Sequence, residues 1–157
     1  MKTLKCLMKT IALTVFATTM LSGCVLNHTS KQTPPSDIER HYLNDWEKQI
    51  GYAQVVRVGN TLHVSGVVGG GASLAEQLDN VYRAIGDILA KFNATPDDIV
   101  KEVLYTTDMD AMKKLINNRK GFYSDGLYPA ATWVQIERLF MPEAMLEVDV
   151  TVVLSHN

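Results

Sequence analysis

A carboxylate and a hydroxyl, each in a β-strand pattern, are the residues of this sequence best suited by type and position to do chemistry. Glu147 alternates with Leu146 and Val148, so on a strand its side chain faces away from both, into solvent or a cleft. There it could position or activate water by general acid–base catalysis. His63 and Ser65 share a strand face, but no Asp or Glu stands at a spacing that would complete a catalytic triad with them.

The glycines, histidines and lysines predict neither a cofactor, a metal ion nor a nucleic-acid partner. The run Gly69-Gly70-Gly71 is not followed by the Gly-Lys-Ser/Thr sequence with which Walker-type loops hold phosphate. The four histidines, at positions 28, 41, 63 and 156, lack the spacing of metal ligands. One helix face is basic, but four cations on an acidic domain give little support for RNA contacts: Lys113, Lys114, Arg119 and Lys120.

Length and composition predict one globular domain and exclude a collagenous, coiled-coil or wholly disordered chain. The chain has 157 residues, of which 46% are hydrophobic and 20% charged, and its net charge is −2. This balance does not suggest the basic surface of a protein that binds duplex nucleic acid.

The N-terminal segment has the features of an export signal with a lipid anchor. Three lysines, at positions 2, 5 and 9, flank or precede an apolar run over residues 10–20 that is too short to cross a bilayer as a stable anchor. The sequence Leu21-Ser22-Gly23-Cys24 then resembles the lipobox of bacterial lipoproteins, whose cysteine receives diacylglycerol and becomes the new N-terminus. The alternative is a buried N-terminal helix with an incidental cysteine.

The lipobox interpretation divides the chain into three parts. Residues 1–23 are a signal peptide, Cys24 is the lipidation site of a polar tether over 24–36, and 37–157 are the exported domain. Val25 stands where an aspartate would favour the inner membrane, so we expect a lipid-anchored protein of the bacterial cell envelope, at the outer membrane and facing the periplasm. The exported domain then has no thiol for a disulfide or a thiolate site.

Local patterns predict an α+β domain with two helices on one face of a mixed sheet. The turn Gly59-Asn60 joins two β-branched runs into a hairpin, and Ser73 with Glu76 is the capping-box signature of the clearest helix. Strands are expected at 53–58, 61–67, 99–107, 132–139 and 145–154, and the main helices at 73–93 and 111–123.

A short leading helix is expected before this sheet. Ile38, Tyr42 and Trp46 are spaced by four residues, which predicts a one-faced helix over residues 37–49. Its apolar stripe is modest, so we expect the helix to pack onto the domain rather than lie in its core.

Motifs spread over the whole domain resemble one known family. They are Gly51-Tyr52-Ala53-Gln54, the segment 57–66, Asp98-Ile99-Val100-Lys101, Thr107-Asp108-Met109, Tyr128-Pro129-Ala130 and Leu146-Glu147-Val148-Asp149-Val150. In this order they resemble the RidA (YjgF/YER057c/UK114) family over about residues 50–154. The resemblance implies a chorismate-mutase-like fold and a homotrimer with ligand clefts between neighbouring subunits.

The resemblance also implies a chemistry and a set of site residues. Active family members hydrolyse reactive enamines and imines, such as 2-aminoacrylate, to 2-keto acids and ammonia. The position of the family's arginine, the natural anchor for the substrate carboxylate, is occupied here by Ala131. Trp133 replaces the cysteine or small residue that is usual in the family. The family's glutamate matches Glu147, and Tyr52 and the pair Ser65-Gly66 are retained.

The loss of the arginine separates three functional interpretations. Arg138 follows Ala131 by seven residues and would point to the opposite face of a regular strand, while sequence alone places neither Arg57 nor Arg119 in the cleft. The preferred interpretation is an envelope lipoprotein that binds a small ligand in intersubunit clefts and lacks standard 2-imino acid deaminase activity. Trp133 would partly fill the cleft or provide an aromatic ring against which an apolar or aromatic ligand packs. The alternatives are a true enamine or imine deaminase with Glu147 handling water, and a structural lipoprotein with vestigial clefts.

Overall fold

The computed structural model describes residues 37–155. The predicted signal peptide, the lipidation site Cys24 and the tether over 24–36 lie outside the described residues. Within the described range, no helix is both long and apolar enough to cross a membrane.

Six strands in this range form one mixed sheet. The strands are β1 (Ile38–His41), β2 (Val55–Val58), β3 (Thr61–Val68), β4 (Ile99–Thr106), β5 (Ala130–Gln135) and β6 (Leu146–Val153). Their order across the sheet is β1-β2-β3-β6-β4-β5, and every neighbouring pair is antiparallel except β4 and β5. The helices are α1 (Asp45–Ile50), α2 (Leu74–Ala90), α3 (Met109–Lys114) and α4 (Ile116–Lys120). These elements confirm the predicted α+β class.

Two elements form where local signals predict them. β2 and β3 are joined by a two-residue turn in which Gly59 has a φ of +59°, a left-handed conformation that glycine adopts without steric cost. α2 begins at a capping box, in which the Ser73 hydroxyl accepts from the Glu76 N–H (3.3 Å) and the Glu76 carboxylate accepts from the Ser73 N–H (3.2 Å). The apolar face of α2 is buried: Leu74, Leu78, Val81, Ile85, Ile88 and Leu89.

The bounds predicted for the leading helix are wrong. Residues 38–41 form β1 at the edge of the sheet, paired with β2, and the helical part is only the short α1. Ile38, Tyr42 and Trp46, whose spacing suggested a helix face, are 38%, 42% and 48% exposed, so they do not form the buried face of a helix. Pairing with β2 gives this backbone its hydrogen-bond partners instead.

The second main helix and the penultimate strand also differ from expectation. The segment predicted as one helix over 111–123 is divided between α3 and α4, because Leu115 between them leaves helical geometry at φ −100° and ψ 12°. The strand predicted over 132–139 is β5, which ends at Gln135, so the following residues belong to the β5–β6 loop.

The sheet has two distinct faces. The helix face packs against α2, α3 and α4 and forms the core, which includes Leu62, Leu104, Val148, Val150 and Met112. Because side chains alternate along a strand, Glu147 and Asp149 of β6 lie on the opposite face, and Tyr105, the direct partner of Glu147 on β4, lies there too. We call this the cavity face.

Candidate functional site

An open cavity of about 360 Å³ lies on the cavity face. Its lining combines two carboxylates, a phenol and a guanidinium with an apolar wall: Gly66, Tyr105, Ile136, Arg138, Leu139, Phe140, Glu147 and Asp149. Concave sites with a few convergent polar groups on an apolar wall are the usual places for small ligands. The cavity therefore provides the candidate site, and it contains Gly66 and Glu147 of the predicted site residues.

Glu147 lies directly over the backbone of Gly66. Between Val64 and Val67 of β3 the register with β6 shifts by a β-bulge, which contains Ser65 and Gly66. A Cβ atom added at Gly66 would lie 2.9 Å from Glu147 Cγ and would overlap its carboxylate. Glycine at this position is therefore a requirement of the observed Glu147 conformation.

Ser65 stabilises the same bulge. Its hydroxyl donates to the Ala53 carbonyl (2.8 Å), and its N–H donates to the Gln54 carbonyl (2.9 Å). The Gln54 side chain donates back to the Ser65 carbonyl (3.0 Å). The Ser65 hydroxyl therefore stabilises the backbone of the sheet and is not positioned as a nucleophile.

The two carboxylates of the cavity are harder to ionise than usual. Burial raises the pKa of Glu147, and the nearby Asp149 raises it further. Burial also raises the pKa of Asp149, although the Tyr105 hydroxyl, which donates to Asp149 Oδ2 at 3.3 Å, and Lys101 partly oppose this. A carboxylate with a raised pKa accepts a proton at a higher pH than an exposed one, which suits general acid–base chemistry.

Tyr52 and Tyr105 keep their phenolic protons beside these carboxylates. Burial raises the pKa of Tyr105, and Asp149 and Glu147 raise it further. The pKa of Tyr52 is raised by burial, by Glu47 and by Glu147, which places Tyr52 within the electrostatic reach of the site although it does not line the cavity. Both are hydrogen-bond donors at neutral pH.

Arg138 lines the cavity on the face opposite to Ala131, as their spacing of seven residues predicts, but this face also carries Glu147, so the orientation does not keep Arg138 out of the site. The chain leaves the sheet after Gln135, and Arg138 of the following loop lies on the same side of the sheet as Glu147. Among residues 37–155, Arg138 has no ion pair within 4.0 Å and no hydrogen bond from its guanidinium. Arg57, which is half-buried, donates to the Gly59 carbonyl (2.9 Å) at the hairpin turn instead.

A buried glutamine holds the loop that carries Arg138. Gln77 of α2 is 1% exposed, and its amide donates to the carbonyls of Gly71 (3.1 Å) and Glu143 (3.0 Å). Its oxygen accepts from the Met145 N–H (2.8 Å). The end of the β5–β6 loop is thereby fixed to the longest helix, and the apolar periodicity of α2 gave no sign of this role.

Ala131 and Trp133 lie on the helix face, away from Glu147 of the same subunit. In the parallel register Ala131 pairs with Glu102 and Trp133 with Leu104, and both partners are buried on the helix face. The Trp133 ring packs against the hydrophobic core rather than into the cavity. Within one subunit, the structure therefore does not bring the two predicted β5 residues together with Glu147.

A buried charged cluster, missed by the sequence analysis, lies beneath β5. Glu102 is fully buried and accepts from Arg119 Nε (3.0 Å), from Tyr82 (2.8 Å) and from Tyr123 (2.5 Å). Burial alone would lower the pKa of Arg119, but the Glu102 carboxylate outweighs it and the pKa is raised. The charge of Arg119 is compensated here, so it is not a free cation for a ligand. Among the described residues, no group of three or more His, Cys, Asp or Glu side chains could hold a metal ion.

Comparison with known proteins identifies the class to which this fold and site belong. The model of the family described as Endoribonuclease L-PSP matches residues 44–154. A RutC family protein encoded in the leuC 5′ region of Leuconostoc mesenteroides subsp. cremoris is 32% identical over 112 residues, which are 64% of this chain and 85% of that protein. The chain belongs to the RidA (YjgF/YER057c/UK114) family.

Solved structures share this fold at low sequence identity. A member of the YjgF/YER057c/UK114 family from Mycobacterium tuberculosis has a TM-score of 0.69 at 23% identity, over 74% of this chain and 99% of that one. A YjgF family protein from Neisseria meningitidis has a TM-score of 0.69 at 24% identity, over 78% of this chain and 99% of that one.

Proposed function

We propose that this protein is a RidA-family envelope lipoprotein that binds a small ligand in intersubunit clefts around Glu147 and lacks standard 2-imino acid deaminase activity. One observation carries the proposal. The acid of the site keeps a defined position over Gly66, whereas position 131 offers only a methyl group where the family resemblance implies a carboxylate anchor. Loss of a desolvated charge partner costs about 3–5 kcal/mol, which corresponds to roughly two to four decades in affinity.

The placement of the site residues supports clefts between subunits. Ala131 and Trp133 lie on the edge strand β5 and on the face opposite to Glu147, so they could line one site with Glu147 only if a different subunit supplied them. Apolar side chains at and around the cavity face are also exposed in the single chain: Val68, Val134, Val153 and Phe140, the last 79% exposed. A second copy would cover such surface.

A deaminase is the second candidate, and the position of Arg138 favours it. An arginine in the cavity could bind the carboxylate of an imino acid while Glu147 takes a proton from water. The water oxygen would then bond to the imine carbon while the imine nitrogen takes this first proton from Glu147. The carbon–nitrogen bond would break as the hydroxyl proton also passes to nitrogen, so both protons of the water would leave with ammonia. Imine and water are thereby converted to keto acid and ammonia, without an oxidant or a cofactor.

Release of keto acid from enzymatically generated 2-aminoacrylate separates the two candidates. With the wild-type chain, keto acid should be released no faster than in the spontaneous reaction. With Ala131→Arg, a change at an exposed position, release should be at least tenfold faster than with the wild type. Activity of the wild-type chain that Glu147→Gln abolishes would overturn the proposal in favour of the deaminase. Inactivity of both chains would eliminate the deaminase and would show that the loss of activity does not depend on position 131 alone.

The lipoprotein part of the proposal has its own test. Globomycin, which blocks cleavage of lipoprotein signal peptides, should cause a precursor longer by residues 1–23 to accumulate in cells that express the full chain. Cys24→Ser should give the same uncleaved band without the drug. A mature band unchanged by both treatments would contradict lipidation at Cys24.

A further inference from the structure

The cavity contains charges of both signs that do not neutralise each other. Arg138 lies in the wall, while Glu147 and Asp149 project from β6. Within residues 37–155, no ion pair within 4.0 Å joins Arg138 to either carboxylate. The raised pKa values of both carboxylates agree with this separation, because a guanidinium in contact would lower them.

Two cations elsewhere in the described fold have carboxylate partners. Arg119 is paired with Glu102 at 3.0 Å, and Lys113 with Asp110 at 3.1 Å. Arg138 lies in the same open cavity as two carboxylates and is left without such a partner among the described residues. A ligand that carries both charges could satisfy the two ends at once.

We propose that Arg138 is the specificity-determining residue of this cavity, where it binds the anionic group of a small zwitterionic ligand whose protonated amine faces Glu147 and Asp149. The inference rests on the proposed function, since it assumes that a ligand occupies the cavity around Glu147. A full ammonium group suits two adjacent carboxylates better than a neutral imine does, because both carboxylates can accept hydrogen bonds from its three N–H groups. Phe140 and Leu139 provide an apolar wall for a short side chain.

Calorimetry of the purified full chain in mild detergent, with three matched probes, tests this role. The probes are 2-aminobutanoate, which carries both charges, butanoate, which lacks the amine, and propylamine, which lacks the carboxylate. The wild-type chain should bind 2-aminobutanoate at least about tenfold more tightly than either of the others. Arg138→Gln should weaken 2-aminobutanoate about ten- to a hundredfold and leave propylamine unchanged, as expected for loss of a charge-assisted contact.

Control variants separate a binding role from a general effect on the fold. Arg57→Gln removes a half-buried arginine outside the cavity and should bind all three probes as the wild type does. Arg138→Lys keeps the charge without the bidentate geometry and should fall between the wild type and Arg138→Gln. Equal affinity of Arg138→Gln and the wild type for 2-aminobutanoate would overturn the role of Arg138.

Failure of this inference can be told apart from failure of the proposed function. If 2-aminobutanoate does not bind the wild-type chain, the zwitterionic class is wrong. A screen of neutral, cationic and anionic fragments then decides the proposed function, which stands if any fragment binds the wild type but not Glu147→Gln and fails if none does.

Discussion

The position of the Glu147 carboxylate depends on the absence of a side chain at Gly66. The β-bulge turns the backbone of β3 so that it passes beneath the carboxylate, and a methyl group there would occupy the same space. The chemistry of the cavity is thus tied to the local conformation of a neighbouring strand.

Gly66→Ala should displace Glu147 and lower the free energy of unfolding by about 1–3 kcal/mol, the usual cost of forcing an extra carbon into a packed position. Urea denaturation measures the stability change. Gly70→Ala is the matched control, because a Cβ atom there meets nothing within 4 Å. Equal stability of the two variants would contradict the close contact.

Ionisation of Glu147 should destabilise the fold. Because its folded-state pKa lies above the ordinary value of 4.5, the folded protein holds a proton that the unfolded chain releases, and stability falls as the pH rises through this window. Glu147→Gln should therefore gain stability relative to the wild type as the pH rises, and the gain should level off above the raised pKa. Thermal unfolding from acid to neutral pH checks this, with Asp87→Asn on the exposed side of α2 as control. A difference that is constant with pH would contradict the prediction.

At the residue scale, the sequence predicts orientations better than contacts. Alternation with Leu146 and Val148 is enough to turn Glu147 away from the core, and the same period of two could have drawn attention to Asp149. The contact with Gly66 depends on the register of β3 against β6, which joins residues about eighty positions apart. No local pattern contains that register.

Among the elements, α4 is held to the sheet by a compensated buried charge. Arg119 of α4 reaches Glu102 of β4, and the hydroxyls of Tyr82 and Tyr123 complete the hydrogen bonds of that carboxylate. Such a cluster adds little over an apolar core, but removal of one partner leaves the other buried and uncompensated.

Arg119→Met should lower the free energy of unfolding by about 3–5 kcal/mol, since Glu102 would remain buried without its cation. The double variant Arg119→Met/Glu102→Gln should recover part of this loss, because a neutral amide can still accept from the tyrosines. Urea denaturation of both variants measures the difference. Equal loss in the single and double variants would show that the charge of Glu102 is not the cause.

Elements with local signals were predictable, and elements that depend on distant partners were not. The hairpin at Gly59-Asn60 and the capped helix α2 follow from a few adjacent residues. β1 is a strand because it pairs with β2, although its own residues repeat at a helical spacing. Arg138 was missed for a similar reason, because no local pattern shows that Ala131 and Glu147 lie on opposite faces of the sheet.

For the whole molecule, we expect three subunits. Light scattering of the full chain, corrected for bound detergent, should give three times the mass of one chain, because the family resemblance implies a homotrimer and the exposed apolar side chains around the cavity face require a cover. A stable monomer would remove the intersubunit clefts from the proposed function and would leave Ala131 and Trp133 outside any site that contains Glu147.

The order of the strands also governs how the chain can fold. β6 is the last strand in sequence, yet it lies at the centre of the sheet, between β3 and β4, and Val153 pairs with Thr61 about ninety residues earlier. Contacts of such long range make folding slow, commonly milliseconds to seconds, because the loop must close before the pairing stabilises it. Until β6 has been synthesised, the hairpin β2–β3 and the pair β4–β5 have no strand to join them. Loss of the last dozen residues would therefore leave two separate half-sheets, not a shortened domain.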